Sequence, residues 1–214
     1  MAEQAAEPLR DEPQSVEVVE REVAFEGMVW DVVREKFAYN SETITREFVD
    51  HTGAVSVLAM DDDERILLIR QYRHPVRSRE WEIPAGLLDE EGEPALAAAQ
   101  RELAEEADLA ARDWHVLAEF LNSPGGSNEA IRIYLARGVS AVPAFERTGE
   151  EADIEVRWVP LDEALAAVLA RRIQNPSTVI AVLTAAVLRG RGWQGLASAD
   201  EPWNRHPTLG SGDW

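Results

Sequence analysis

Glu102, Glu105 and Glu106 stand at i, i+3 and i+4, so a helix over this stretch brings three carboxylates onto one face. Like charges so placed repel one another. A hard divalent cation, which takes oxygen ligands and commonly joins carboxylates to substrate phosphates, offsets that repulsion; a solvated acidic face is the other reading of the same spacing. The helix that must carry them is legible: Pro94 suits a first helical position, and Leu96, Ala99 and Leu103 give one apolar stripe running to about Ala107.

The wider pattern favours the cation. Gly86-Leu-Leu-Asp-Glu-Glu-Gly-Glu93, a seven-residue interval, and Arg101-Glu-Leu-Ala-Glu-Glu-Ala-Asp-Leu109 resemble the Nudix box. Two departures stand out: one extra residue between Gly86 and Glu93, which should enlarge the loop before the helix, and Asp108 where the pattern has its last Gly. Asp tolerates the left-handed conformation of a helix C-terminus better than most side chains. The resemblance implies an α+β fold, an α/β/α sandwich around a mixed sheet, and hydrolysis of a diphosphate with magnesium, or alternatively manganese. It implies Glu102 and Glu106 as metal ligands, Glu105 as a further ligand directly or through water, and the Ala85 carbonyl as another. Arg101 would orient these carboxylates, and Glu93 would be structural.

Downstream, Leu121-Asn-Ser-Pro124-Gly125-Gly-Ser-Asn-Glu129 resembles the Ser-Pro-Gly-x-x-x-Glu stretch of the ADP-ribose pyrophosphatase subgroup. Trp81-Glu82-Ile-Pro-Ala85-Gly86 and Ile69-Arg-Gln-Tyr-Arg73-His resemble its lead-in and preceding strand. By that resemblance Pro124, Gly125, Glu129, Glu82 and Arg73 belong to substrate binding. A planar guanidinium such as that of Arg73 can grip phosphate oxygens two at a time. Arg46, in Thr45-Arg-Glu-Phe48, matches a position that contacts adenine across a homodimer interface, while Trp30 is better read as a core or interface residue than as a stacking one. Glu150, in Glu146-Arg-Thr-Gly-Glu150-Glu-Ala-Asp-Ile154, matches a mobile-loop glutamate that activates water or completes metal binding, with the adjacent Glu151 able to substitute and Glu105 the next candidate base.

These residues need a scaffold, and the chain supplies its outline. Residues 1–14 read as a disordered leader. Residues 15–50 read as a dimerising β subdomain, a meander of Val16 to Phe25, Met28 to Phe37 and Thr43 to Val49. Residues 51–190 hold the hydrolase domain: Ala54 to Met60 and Arg65 to Tyr72 form an expected hairpin around Asp61-Asp-Asp-Glu64. Strands follow at His115 to Leu121, Ile131 to Ala136 and Ile154 to Val159, with helices at Leu161 to Arg171 and Ser177 to Leu188. Residues 191–214, rich in Gly, Pro and Trp, read as a tail that lies across the body.

Composition narrows the chemistry. A formal net charge of −19 over 214 residues repels a polynucleotide backbone, so nucleic acid is not an expected partner; a small anionic nucleoside-diphosphate sugar remains accessible if a metal and a few arginines reverse the sign locally. With no Cys, thiolate chemistry and disulfides are excluded. The longest apolar runs, such as Val179 to Val187, are too short to span a membrane, and the acidic start lacks the features of a secretory signal, so a cytoplasmic home is expected. No His-Glu-x-x-His, Walker loop or Gly-x-Ser-x-Gly elbow is present. The rivals are the same reaction on another nucleoside-diphosphate sugar such as GDP-mannose, a non-catalytic domain that senses ADP-ribose, and a structural protein with a solvated acidic helix.

Overall fold

A computed structural model describes residues 9–145, 147 and 153–206; part of the expected leader, most of the loop holding Glu150 and Glu151, and the end of the tail lie outside them. The alternating stretch before residue 51 forms three antiparallel strands, β1 (Val18–Phe25), β2 (Asp31–Tyr39) and β3 (Glu42–Asp50), in that spatial order. Asn40 and Ser41 turn the chain between β2 and β3 with φ of +50° and +68°. That double left-handed turn matches the twist of a two-residue hairpin, and Asn is among the residues that tolerate it. Among the described residues Val33 is the sole buried position in these strands.

The body is built differently. Every residue of β4 (Ala54–Ala59) is buried, and so is most of β5 (Arg65–Arg73). The expected hairpin between them does not form. Its turn is present, with Asp61 N donating to the Arg65 carbonyl at 3.0 Å, but beyond a single Met60–Ile66 bridge the strands part into different sheets. Strand β5 lies between β6 (Ser78–Glu82) and β12 (Glu155–Pro160), both antiparallel to it. Strand β4 lies between β7 (Ala85–Leu87), antiparallel, and β10 (Ala130–Arg137), parallel. Strand β9 (Asp113–Leu121) flanks β10, and a short β8 (Leu109–Ala110) pairs with β11 (Ser140–Ala141). Strands buried on both faces need neighbours and covering layers on both sides, which a two-stranded hairpin cannot provide.

Those layers follow the two-residue period of the strands. Val55, Val57 and Ala59 of β4, with Leu67 and Ile69 of β5, pack in one cluster with Ala98, Ala99 and Leu103 of α1 (Ala95–Ala107). Ala54 and Leu58, with Ile66 and Leu68, pack in the other with Leu161, Ala164 and Val168 of α2 (Leu161–Leu169) and Ala181, Val182 and Ala185 of α3 (Pro176–Gly190). The result is the expected α/β/α sandwich with mixed strand directions. Pro94 stands just outside α1 as its N-cap, one residue from the expected start, whereas Asn175 caps α3 by accepting from Thr178 N at 3.0 Å. The tail does cross the body: β13 (Ala197–Ser198) adds to β9, and Trp203 and His206 are buried. Among the described residues no helix is long and apolar enough to cross a membrane.

Candidate active site

Helix α1 brings the expected carboxylates to one cleft of about 510 Å³, lined by Glu102, Glu105 and Glu106 from the helix and by Ala85 and Gly86 from β7. Glu106 is 5% exposed and accepts from Ala85 N at 2.8 Å, which ties the helix to the strand. Gly86 is fixed by space: a Cβ there would stand 2.0 Å from Cδ of Glu102. Arg101 gathers the acids. Its Nε and Nη2 hold the two oxygens of Glu93 at 3.1 and 2.9 Å, and its Nη1 donates to Glu102 at 2.6 Å and to Glu105 at 3.3 Å. Those bonds, with Glu93 first, raise the Arg101 pKa and hold the Glu93 carboxyl below its ordinary range.

The same cleft is lined by Gln71 and Arg73, which project from one face of β5, two residues apart. Arg73 donates from Nε and Nη2 to the two oxygens of Glu82 at 2.9 and 2.7 Å, and Gln71 Nε2 adds a contact at 3.4 Å. Glu82 is 2% exposed. It therefore stands behind Arg73 and fixes the direction of the guanidinium, and it does not line the cleft.

A second cavity, of about 550 Å³, is lined by Arg46 and Phe48 of β3, by Leu121 and the loop Pro124–Asn128, and by Arg205 of the tail. The loop docks on the end of β3: Val49 N donates to the Gly126 carbonyl at 3.0 Å, and Asn128 accepts from His51 N at 2.7 Å. Arg46, Pro124 and Gly125 are thus brought together here. Glu129 is not: it lines neither cavity, accepts from Asn122 Nδ2 at 2.6 Å and lies 3.5 Å from His51 Nε2. Burial lowers the His51 pKa against the pull of Glu129, and the partly exposed Trp30 stacks on that imidazole with ring centres 5.2 Å apart.

Residues 50–180 match the NUDIX domain. The chain belongs to the Nudix family. Similar proteins include the ADP-ribose pyrophosphatase of Mycobacterium tuberculosis, 42% identical over 165 residues that cover 77% of this chain and 79% of that protein. The methanol dehydrogenase activator of Bacillus methanolicus is 38% identical over 143 residues, 67% of this chain and 77% of that protein. A crystal structure of an ADP compounds hydrolase superposes with a TM-score of 0.67 at 23% identity, covering 86% of this chain and all of that one, which supports the fold.

Nudix hydrolases generally need divalent metal ions, and carboxylates beside a backbone carbonyl are the hard oxygen donors such ions take. Among the described residues no three carboxylate or imidazole side chains converge as a ready ligand set; Glu102 and Glu105 are turned to Arg101. Both departures from the Nudix pattern are accommodated. The longer loop places Asp89 and Glu90 on the cleft. Asp108 takes the left-handed conformation, φ +55° and ψ +37°, and its carboxylate accepts from Phe145 N at 2.8 Å and pairs with Arg147 at 2.8 Å. A Gly would make the turn but could not hold those groups. Glu150 and Glu151 lie outside the described residues.

Gln71, Asp89, Glu90, Phe48 and Arg205 were not among the expected site residues. The spacing of Gln71 from Arg73 on one strand face signals its place, whereas nothing in the tail's composition signals Arg205.

Proposed function

We propose that the protein hydrolyses the diphosphate bond of ADP-ribose to AMP and ribose 5-phosphate, as a homodimer in the cytoplasm, with magnesium as its ion and manganese as a substitute. The observation that carries this reading is the one cleft lined by Glu102, Glu105, Glu106, the start of β7 at Ala85 and Gly86, and Arg73. The relative named ADP-ribose pyrophosphatase, 42% identical over 77% of the chain, supports the choice of substrate.

Glu102, Glu106 and the Ala85 carbonyl, with Glu105 directly or through water, would hold a divalent ion, which would offset charge on the diphosphate oxygens and acidify a water. Arg101 keeps Glu102 and Glu105 in register with Glu93, so Glu102 and Glu105 would have to turn from its guanidinium to hold an ion. Arg73, aligned by Glu82, binds the diphosphate. A water oxygen attacks one phosphorus, the bridging P–O bond breaks towards the other phosphate, and Glu150 takes the proton. Arg46, Pro124 and Gly125 bind the nucleoside end, and Glu129 supports their loop through Asn122. Residues 15–50 form the dimerising subdomain, 51–190 the hydrolase domain and 191–214 a tail.

A panel of nucleoside-diphosphate sugars assayed for nucleoside monophosphate release tests the reading. ADP-ribose should be turned over with magnesium, an excess of chelator should abolish turnover, and Glu106→Gln should keep the fold and lose most activity. Glu150→Gln combined with Glu151→Gln should lower kcat by roughly two to four orders of magnitude, the scale of losing a general base. Full activity of Glu106→Gln, or turnover undiminished in chelator, overturns the metal site.

A further inference from the structure

The tail is fastened at several points, and each fastening uses a residue with a specific chemical reason to be there. After α3, the Arg137 guanidinium lies 3.7 Å over the ring of Trp193, and β13 joins the edge of β9. Arg132, almost wholly buried on β10, donates from Nη1 to the Glu201 carbonyl at 2.8 Å and stands 4.8 Å over the ring of Trp203. The Trp203 ring then packs 4.6 Å from that of His206, and His206 Nε2 meets the Thr52 carbonyl at 3.1 Å. Gly53 covers His206. Its φ of +85° disfavours a side chain, and a Cβ there would stand 2.3 Å from His206 Nε2.

Residue 205 is therefore held between two buried aromatic anchors, with His206 N donating back to the Trp203 carbonyl at 3.2 Å. That backbone delivers Arg205 to the wall of the cavity formed by Arg46, Phe48, Leu121 and the Pro124 loop. The cavity differs in kind from the carboxylate cleft. Phe48, Leu121 and Pro124 give it apolar sides suited to a flat ring, and no carboxylate from α1 reaches it. A guanidinium at the edge of an apolar slot can donate to ring nitrogens in its own plane or stack on a π-face. Because the anchors order the segment beforehand, binding does not have to meet the cost of ordering it.

We propose that Arg205 binds the nucleobase half of the substrate, so that the C-terminal segment is part of the active site. This rests on the reading of the enzyme as one that cleaves ADP-ribose. Calorimetric titration of the full-length protein with AMP and, separately, with ribose 5-phosphate tests it, together with steady-state kinetics. Arg205→Met keeps the aliphatic stem and should preserve the fold. Its affinity for AMP should fall about tenfold, the usual scale for one charge-assisted hydrogen bond, with ribose 5-phosphate binding unchanged. KM for ADP-ribose should rise about tenfold at nearly constant kcat, the signature of lost uniform binding, and Arg205→Lys should recover part of the loss. Unchanged AMP affinity in Arg205→Met, or an equal loss for both products, overturns the assignment alone. Failure of the wild-type protein to bind AMP overturns it together with the reading it rests on.

Discussion

The two β regions of this chain are stabilised by different means. In β4 all six residues are buried and two helical layers cover the sheets, so burial of apolar area dominates, at about 25 cal/mol per Å². In β1 all eight residues are exposed. Val19, Val23, Phe25, Met28 and Val29 stand in solvent, and Arg34 bridges Glu22 and Glu47 while Lys36 meets Glu20. Exposed pairs of that sort contribute little and are screened by salt, and a small sheet needs a covered apolar face for independent stability. The contrast teaches that the body carries a core of its own, whereas the N-terminal sheet leaves apolar residues uncovered, which the proposed homodimer would cover.

Removing the N-terminal sheet should have the largest effect on this comparison. Deletion of residues 1–49 should leave a folded body that is monomeric by light scattering and at least about a hundredfold less active, the scale of misplacing a substrate by roughly an ångström; deletion of 1–14 should change little. A fully active monomer would show that the two regions do not share a site. Point changes should sort the regions by energy. Leu58→Ala in β4 should cost about 2–5 kcal/mol at any protein concentration, whereas Phe25→Ala should cost less than about 0.5 kcal/mol in dilute solution and should weaken dimerisation. Denaturant midpoints at two concentrations separate these outcomes, because stability from a partner depends on concentration.

The smallest effect concerns the junction between the regions. His51 follows β3 and His206 lies under Gly53, and burial lowers the pKa of both below the ordinary 6.5. The unfolded chain then binds these protons more readily than the folded one. Their contribution is complete above about pH 6.5 and is lost as pH falls below it, at no more than about 1.4 kcal/mol per pH unit for each group. Thermal melts between pH 7.5 and 5.5 should show this decline, and His206→Asn should flatten it. An equal decline in that variant would place the sensitivity elsewhere.

Much of the site was legible because helical spacing fixes a face: Glu102, Glu105 and Glu106 reach one cleft, and Arg101 donates to Glu102, Glu105 and Glu93. The meander and the three helices were legible for the same reason, their period. What failed was pairing. Ala54 to Met60 and Arg65 to Tyr72 flank a good turn, and local turn chemistry suggested a hairpin; the continuous burial of β4 was the contrary signal, since a hairpin strand with one wet face alternates. Strands β6 and β7 are short and interrupted by Pro84, and β13 lies in a Gly-rich tail, so none has enough length to show a period. Glu82 was expected to bind substrate, whereas the fold pairs it with Arg73 and leaves it off the cleft.

The pairing of β4 with β10 has a further consequence, for the order in which the chain matures. Ala54 lies opposite Ile131, and Arg65 opposite Pro160, so the two larger body sheets close across long intervening stretches whose loop entropy must be met before the contacts form. During synthesis from the N-terminus, β1, β2 and β3 have their neighbours at hand once Asp50 has emerged. Ala54 and Leu58 must wait longer, because the helices that cover them, α2 and α3, follow β10 in the chain. The strand neighbours of the region with the smallest core are therefore complete first, and the region with the largest core passes through the longest interval in which its apolar strands are open to aggregation.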